Sequence, residues 1–210
     1  VRPVMPDRSM PLIIGVDVAR FGDDQSVIYP RIGNDARSFG FKAFRSLNGV
    51  QLAGKIIQMV QEFQSLGITH YNIFIDDTGG YGGSPIDHLE FLGWHAVGVN
   101  FGMASVDGTY RYRGDEMWGN MREAIRSTLG IPADDLLKDQ LTQREYGYTL
   151  TGNKIHLESK KDMKERGLAS PDIADALALT YAMAVAPIQI AGAAASTTVI
   201  SEYDPLEAMN

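Results

Sequence analysis

Three acidic motifs in this 210-residue chain combine residue types and spacings that suit metal chemistry. In Gly15-Val16-Asp17-Val18-Ala19-Arg20-Phe21-Gly22-Asp23-Asp24 a carboxylate ends an apolar run. Burying it is costly unless it is paired or metal-bound, although an Asp that accepts backbone hydrogen bonds at a strand exit fits this motif equally well. In Ile73-Phe74-Ile75-Asp76-Asp77-Thr78-Gly79-Gly80-Tyr81-Gly82-Gly83 another acid stands at the end of an apolar strand, before a glycine-rich loop. Ligand sites of open α/β sheets collect at such strand ends, while a turn built on Asp-Thr-Gly is the plainer alternative. In Ser170-Pro171-Asp172-Ile173-Ala174-Asp175-Ala176-Leu177 two acids three residues apart share a helix face. Acids in a first turn often serve only the helix dipole, yet Ala174, Ala176 and Ala178 keep this helix slim enough to bring its acids up to a sheet. Together, two strand-end acids and one or two helix-start acids supply the hard oxygen ligands of a magnesium or manganese site that leaves positions open for phosphate oxygens.

Other chemistry is poorly supported. The chain has no Cys, which removes thiol nucleophiles, disulfides and Cys-based zinc sites. His70, His88, His95 and His156 lack ligand spacing, which argues against zinc. Gly49-Val50-Gln51-Leu52-Ala53-Gly54-Lys55-Ile56 approaches a phosphate-binding loop, but Ile56 replaces the hydroxyl that would hold magnesium, and the apolar positions already fit a packed helix. A formal charge of −7 gives no overall attraction for nucleic acid, so contact with a polyanion must come from a local patch or bound cations. Arg111, Arg113, Arg122 and Arg126 form one basic segment, and Lys154, Lys160, Lys161, Lys164 and Arg166 another. Any single one reads as solvated surface; as a group, Lys154, Lys160 and Lys161 are the candidates for phosphate contact. Trp94 and Trp118 read as core or partner surface.

The elements that must position these acids follow from the pattern. Leu12–Val16, Ser26–Tyr29 and Ser38–Phe44 read as three short strands with tight turns, an antiparallel meander. Leu52, Ile56, Met59, Val60 and Phe63 mark an amphipathic helix over Gly49–Leu66, closed by Gly67. Strands follow at Tyr71–Ile75 and His95–Phe101, with a helix from Ser84-Pro85 to about Leu92 between them. A helix over Arg113–Leu129 and a hairpin across Thr151-Gly152-Asn153 precede a last helix from Ser170-Pro171 through Ala186. Crossover helices must cover the parallel part of such a sheet, so the fold class is α/β, a mixed sheet flanked by helices. Residues 1–10 read as a Pro-rich lead-in, 11–186 as one domain and 187–210 as a flexible tail. The Val1 start suggests a segment of something longer, or processing. No 18-residue apolar run is present, and the chain reads as cytoplasmic.

In their order, strand-Asp17, strand-Asp76 and helix-Asp172 resemble the acidic triad of ribonuclease H-like nucleases. More narrowly, Asp17-Val18-Ala19-Arg20-Phe21-Gly22-Asp23-Asp24, Asp76-Asp77-Thr78-Gly79 and Lys160-Lys161-Asp162-Met163-Lys164-Glu165-Arg166-Gly167 leading into Ser170-Pro171-Asp172-Ile173-Ala174-Asp175-Ala176-Leu177 resemble the C-terminal nuclease domain of the large terminase subunit of tailed bacteriophages. The resemblance runs from about Pro11 to Ala184 and implies a ribonuclease H-like fold with an added hairpin. It implies an endonuclease that cuts double-stranded DNA during genome packaging, using two magnesium or manganese ions held by Asp17, Asp76, Asp172 and Asp175. It further implies a terminase ATPase domain, a small terminase subunit and a portal as partners, in the cytoplasm of an infected host cell. Adjacent acids point to opposite sides of a strand, so only one of Asp76 and Asp77 can face the site, and the family pattern favours Asp76. A junction resolvase or transposase, an actin-like phosphotransferase and a non-cutting DNA or portal clamp are the competing expectations.

Overall fold

The computed structural model describes residues 7–19 and 25–188. The Asp23-Asp24 end of the first motif, most of the lead-in and all but two residues of the expected tail lie outside them. Strands β1 (Leu12–Asp17), β2 (Gln25–Ile32), β3 (Lys42–Arg45), β4 (Tyr71–Asp76) and β5 (Val97–Val99) form one sheet in the order β3-β2-β1-β4-β5. The first three pair antiparallel, while β1 pairs parallel with β4 and β4 with β5. The expected meander with a parallel extension is present.

Strand alternation divides the core in two. Leu12, Ile14, Val16, Ile73 and Ile75 face helices α1 (Gly49–Ser65) and α2 (Gly83–Phe91). Ile13 and Phe74 face the opposite layer, built by α3 (Arg113–Ser127), α4 (Asp135–Gln143) and α6 (Asp172–Leu179). α1 buries its Leu52, Ile56, Met59, Val60 and Phe63 stripe and begins at a capping box in which Asn48 and Gln51 bond each other's backbone N–H. The near phosphate loop is therefore an ordinary packed helix, with Ile56 fully buried.

Several boundaries differ from the sequence expectation for local reasons. The turn before β3 is longer than expected because the Asp35 carboxylate accepts the N–H groups of Arg37 and Ser38, holding the chain back from the sheet until Lys42. α6 stops at Leu179 rather than near Ala186. There the Thr180 carbonyl accepts from Arg31 Nη2 at 2.6 Å, and Thr180 Oγ1 accepts from Arg31 Nε at 2.8 Å, so the chain end is held by β2. Two short helices were not expected: α4, capped by Asp134 on the Leu137 N–H, and α5 (Lys160–Glu165), capped by Ser159 on the Asp162 N–H. The hairpin of β6 (Tyr146–Tyr148) and β7 (Ile155–Leu157) forms its own two-stranded sheet and leads, three residues after Leu157, to Lys160.

Candidate metal-binding acidic cluster

Val16 and Ile75 are register partners on adjacent parallel strands, so Asp17 and Asp76 leave the sheet side by side. The pleat sends both toward the α6 layer, together with Gly15 between them in parity. At Gly15 the sheet and α6 come into direct backbone contact: a Cβ there would lie 1.9 Å from the Ala176 carbonyl oxygen. Glycine at this position lets the alanine-lined start of α6 reach the strand ends. Asp172 and Asp175, in the first turn of α6, are buried beside the strand-end acids. The expectation that a slim helix delivers its acids to the strand ends is what the packing shows.

Asp77 takes the other side. It lies against Gly98 and the α2 layer, where a Cβ on Gly98 would stand 3.3 Å from the Asp77 Cβ and 3.0 Å from Ile86 Cδ1. Its buried Oδ1 has no hydrogen-bond partner among the described residues. The Asp76 backbone is wrapped by the glycine loop, because a Cβ on Gly82 would lie 2.5 Å from the Asp76 carbonyl oxygen, and Gly79 and Gly80 take positive φ of 77° and 82°. Asp76 Oδ1 accepts the Thr78 N–H at 2.8 Å, and Thr78 Oγ1 in turn accepts the Phe101 N–H, tying the loop to the end of β5.

The centre of the cluster is the Lys160 ammonium. Its Nζ lies 2.8 Å from Asp175 Oδ2, 3.3 Å from Asp17 Oδ1 and 4.0 Å from Asp172 Oδ1. Among the described residues no three acids stand about one point in ligand geometry; the ammonium occupies the space between them. Burial pushes the Asp17 carboxyl well above the usual range, Lys160 opposes this, and the neighbouring charges of Asp175, Asp172 and Asp76 push it further up. Burial also raises Asp76, against the Thr78 hydrogen bonds. Asp175 is as deeply buried, but Lys160 and Arg144 together outweigh desolvation and hold it below the usual carboxylate range. Burial lowers Lys160, and its carboxylate neighbours reverse that into a net rise. The side chain of Lys160 keeps one-third of its surface in solvent, so the cluster is open on that side.

Two residues that sequence reasoning placed elsewhere, or not at all, hold Asp175. Trp118 Nε1 donates to Asp175 Oδ1 at 2.7 Å, and Arg144 Nη1 donates to the same oxygen at 3.0 Å. Trp118 is core, as expected, but its indole N–H is committed to the acid. Gln140 of α4 accepts the Ile173 and Ala174 N–H groups at 2.9 and 3.0 Å and so caps the helix that carries Asp172. The pair Gln140 and Arg144, four apart, is a one-face signal in the sequence, but nothing local to it names the acid it serves. Of the three lysines expected on DNA, only Lys160 enters the cluster. Lys161 is exposed and pairs with Glu165, and Lys154 is half-buried in the hairpin.

No family model and no curated protein matches the chain. Among solved structures it is similar to a lysine-to-alanine variant of the nuclease domain of the large terminase subunit gp2 of bacterial virus Sf6 with manganese and β-thujaplicinol. That match has 17% identity and a TM-score of 0.68, covering 87% of this chain and 91% of that one. It is also similar to the large terminase nuclease of thermophilic phage G20c, at 16% identity and TM-score 0.62 over 85% of this chain and 84% of that one. The Thermus phage P74-26 large terminase nuclease domain matches at 15% identity and TM-score 0.57, covering 85% and 82%. The chain therefore has the ribonuclease H-like fold of phage large-terminase nuclease domains.

Proposed function

We propose that the chain is a divalent-metal-dependent endonuclease of the large-terminase type, cutting double-stranded DNA during viral genome packaging. One observation carries this reading: buried acids from a strand end, Asp17, and a helix start, Asp172 and Asp175, converge on a single cation, the Lys160 ammonium, with buried Asp76 at the adjacent strand end beside Asp17. Relatives in fold include structures with bound magnesium and cobalt as well as manganese.

The donor set fits hard cations. Asp17, Asp76 and Asp172 are the ligands in this reading, joined by Asp175 through Oδ2, since Asp175 Oδ1 is spent on Trp118 and Arg144. Bound there, magnesium or manganese supplies activation of water and charge neutralisation at the phosphodiester. The protein's own part is positional. Trp118 and Arg144 fix the Asp175 rotamer, Thr78 fixes Asp76, and Gln140 fixes the start of α6. Lys160 balances the charge of Asp17, Asp172 and Asp175, and its partly solvent-exposed side chain could face a phosphate if divalent ions took its place among the acids. No protein nucleophile is needed. Lys154 and Lys161 are phosphate neighbours in this reading, and the ATPase domain, small subunit and portal are its partners in the host cytoplasm. Among the described residues no helix is long and apolar enough to cross a membrane.

Nicking of supercoiled plasmid with manganese, with and without ATP, tests the proposal. The chain is expected to nick without ATP, and Asp17→Asn to lose at least about a hundredfold, since even outer partners of metal ligands cost 10- to 100-fold. Nicking by pure Asp17→Asn protein at the parental rate would remove Asp17 from the mechanism.

A further inference from the structure

Behind the acidic cluster, on the far side of Trp118 and Arg144, α3, α4 and the hairpin enclose an open groove of about 460 Å³. Its floor is apolar: Ile125, Ile131, Leu141 and Leu157 are only partly buried and have no further covering element among the described residues. Its rim carries Arg122, Arg126, Lys138 and Arg144, and the sole acid in the lining is Asp115. Asp115 is already committed, accepting the Tyr112 and Leu157 N–H groups. Arg126 and Lys138 make no ion pair with a described residue. An apolar floor with a net basic rim, on a chain of formal charge −7, suits an acidic segment with apolar anchors.

The chain contains one such segment. Val199-Ile200-Ser201-Glu202-Tyr203-Asp204-Pro205-Leu206-Glu207-Ala208-Met209 interleaves three acids with Val199, Ile200, Tyr203, Leu206 and Met209, and no Lys or Arg follows Arg166. Its attachment point lies within reach of the groove. The Ile188 N–H donates to the Ser9 carbonyl. Three residues on, Leu12 pairs with Ile32, Ile32 bridges to Asp35, and Asp35 bridges to Gly130, the neighbour of groove residue Ile131. That stepwise route is an upper bound on the straight line and comes to roughly 35 Å. The stretch from Ile188 to Val199 reaches up to about 36 Å.

We propose that Val199–Met209 docks in this groove of its own chain, with Tyr203 and Leu206 on the apolar floor and Glu202, Asp204 and Glu207 toward the basic rim. Because Arg144 belongs both to the rim and to Asp175, a docked tail stands one side chain away from the acidic cluster. The docking does not depend on the nuclease reading.

The absence of cysteine makes a clean test available in the full chain. Thr142→Cys on the groove with Ala208→Cys on the tail is compared with Phe91→Cys and Ala208→Cys. Phe91 is exposed on α2, three residues from Trp94, whose ring packs on Tyr71 beside Leu12, so it too lies near the tail's root. Intramolecular disulfide formation is expected to be at least about tenfold faster for the groove pair, as a local effective concentration requires. It should fall to the control rate when Glu202→Gln, Asp204→Asn, Glu207→Gln and Leu206→Ser are added. Hydrogen exchange on cysteine-free protein gives a second reading, with faster exchange over α4 expected once the tail carries those four changes. Equal rates for the two pairs, unchanged α4 exchange, or disulfide-linked dimers as the main product would each overturn docking within one chain.

Discussion

Asp76 and Asp77 are adjacent, chemically identical and separated only by the pleat. In the proposed site Asp76 stands beside Asp17, whereas Asp77 faces Gly98 with a buried oxygen that no described residue satisfies. Asp76→Asn is expected to lower plasmid nicking by about tenfold or more, and Asp77→Asn to leave it within about twofold while holding thermal stability, because the Asp77 Oδ1 it alters has no hydrogen-bond partner among the described residues to lose. Initial rates and melting curves of the two variants check this, and the reverse ranking of rates would place the site on the α2 face. Lys160 calls for a different experiment. Removing its ammonium leaves the carboxylates of Asp17, Asp172 and Asp175 facing one another, so Lys160→Ala is expected to melt several degrees lower than the parent without divalent ions. Manganese should restore most of the loss, and calorimetry should show tighter manganese binding than in the parent, since the ion no longer competes with a resident cation. A variant as stable as the parent and indifferent to manganese would mean that the acids do not act as a cation site.

At the scale of elements, the contact between β1 and α6 decides whether the acids meet. Gly15→Ala places a methyl group where the Ala176 carbonyl now stands, and backbone cannot yield as a flexible side chain does. A loss of about 3 kcal/mol or more in urea unfolding is expected, with nicking reduced beyond what the unfolded fraction explains, because α6 must move outward with Asp172 and Asp175. A neutral Gly15→Ala would show that the close approach is not needed. The same contact marks what was legible from sequence. Asp17 and Asp76 could be proposed because each ends an apolar run, and Asp172 and Asp175 because they share a helix face, while the family resemblance joined the four and favoured Asp76 over Asp77; the order of strands and helices followed from periodicity and glycine punctuation. The glycine-alanine contact was half visible, in the small residues of α6. Lys160 was legible only as one of a basic group, since nothing in Lys160-Lys161 tells which of two lysines turns inward. Arg144, Trp118 and Gln140 escaped because they act on residues about 30 or more positions away, through partners that only tertiary packing brings near. α4 and α5 are too short for their periodicity to stand out, and α6 was overextended because its stop is imposed by Arg31 from another strand.

For the whole molecule, the proposed function makes charge the quantity that sets how the chain would meet DNA. Two divalent ions bring the formal charge from −7 only to −3, and much of the basic surface is spent on internal pairs such as Arg166 with Glu145 and Glu158. Binding to a short duplex in calcium is therefore expected to be weaker than about 1 μM at physiological salt, to fall as salt rises and to show little sequence preference. Fluorescence anisotropy at several salt concentrations measures this. Nanomolar, sequence-selective binding would favour a resolvase instead. In a packaging machine the remaining subunits would hold DNA at high local concentration, so a weak binder can still cut.

Whether these acids form a site for divalent cations is decided by manganese-soaked crystals measured at the manganese absorption edge. The result expected is anomalous density among the carboxylates of Asp17, Asp76 and Asp172, with the Lys160 ammonium displaced from its position between Asp17 and Asp175. Lys160 unmoved in millimolar manganese with no density among the acids, or density confined to Asp77, would mean that Asp17, Asp76 and Asp172 hold no divalent ion.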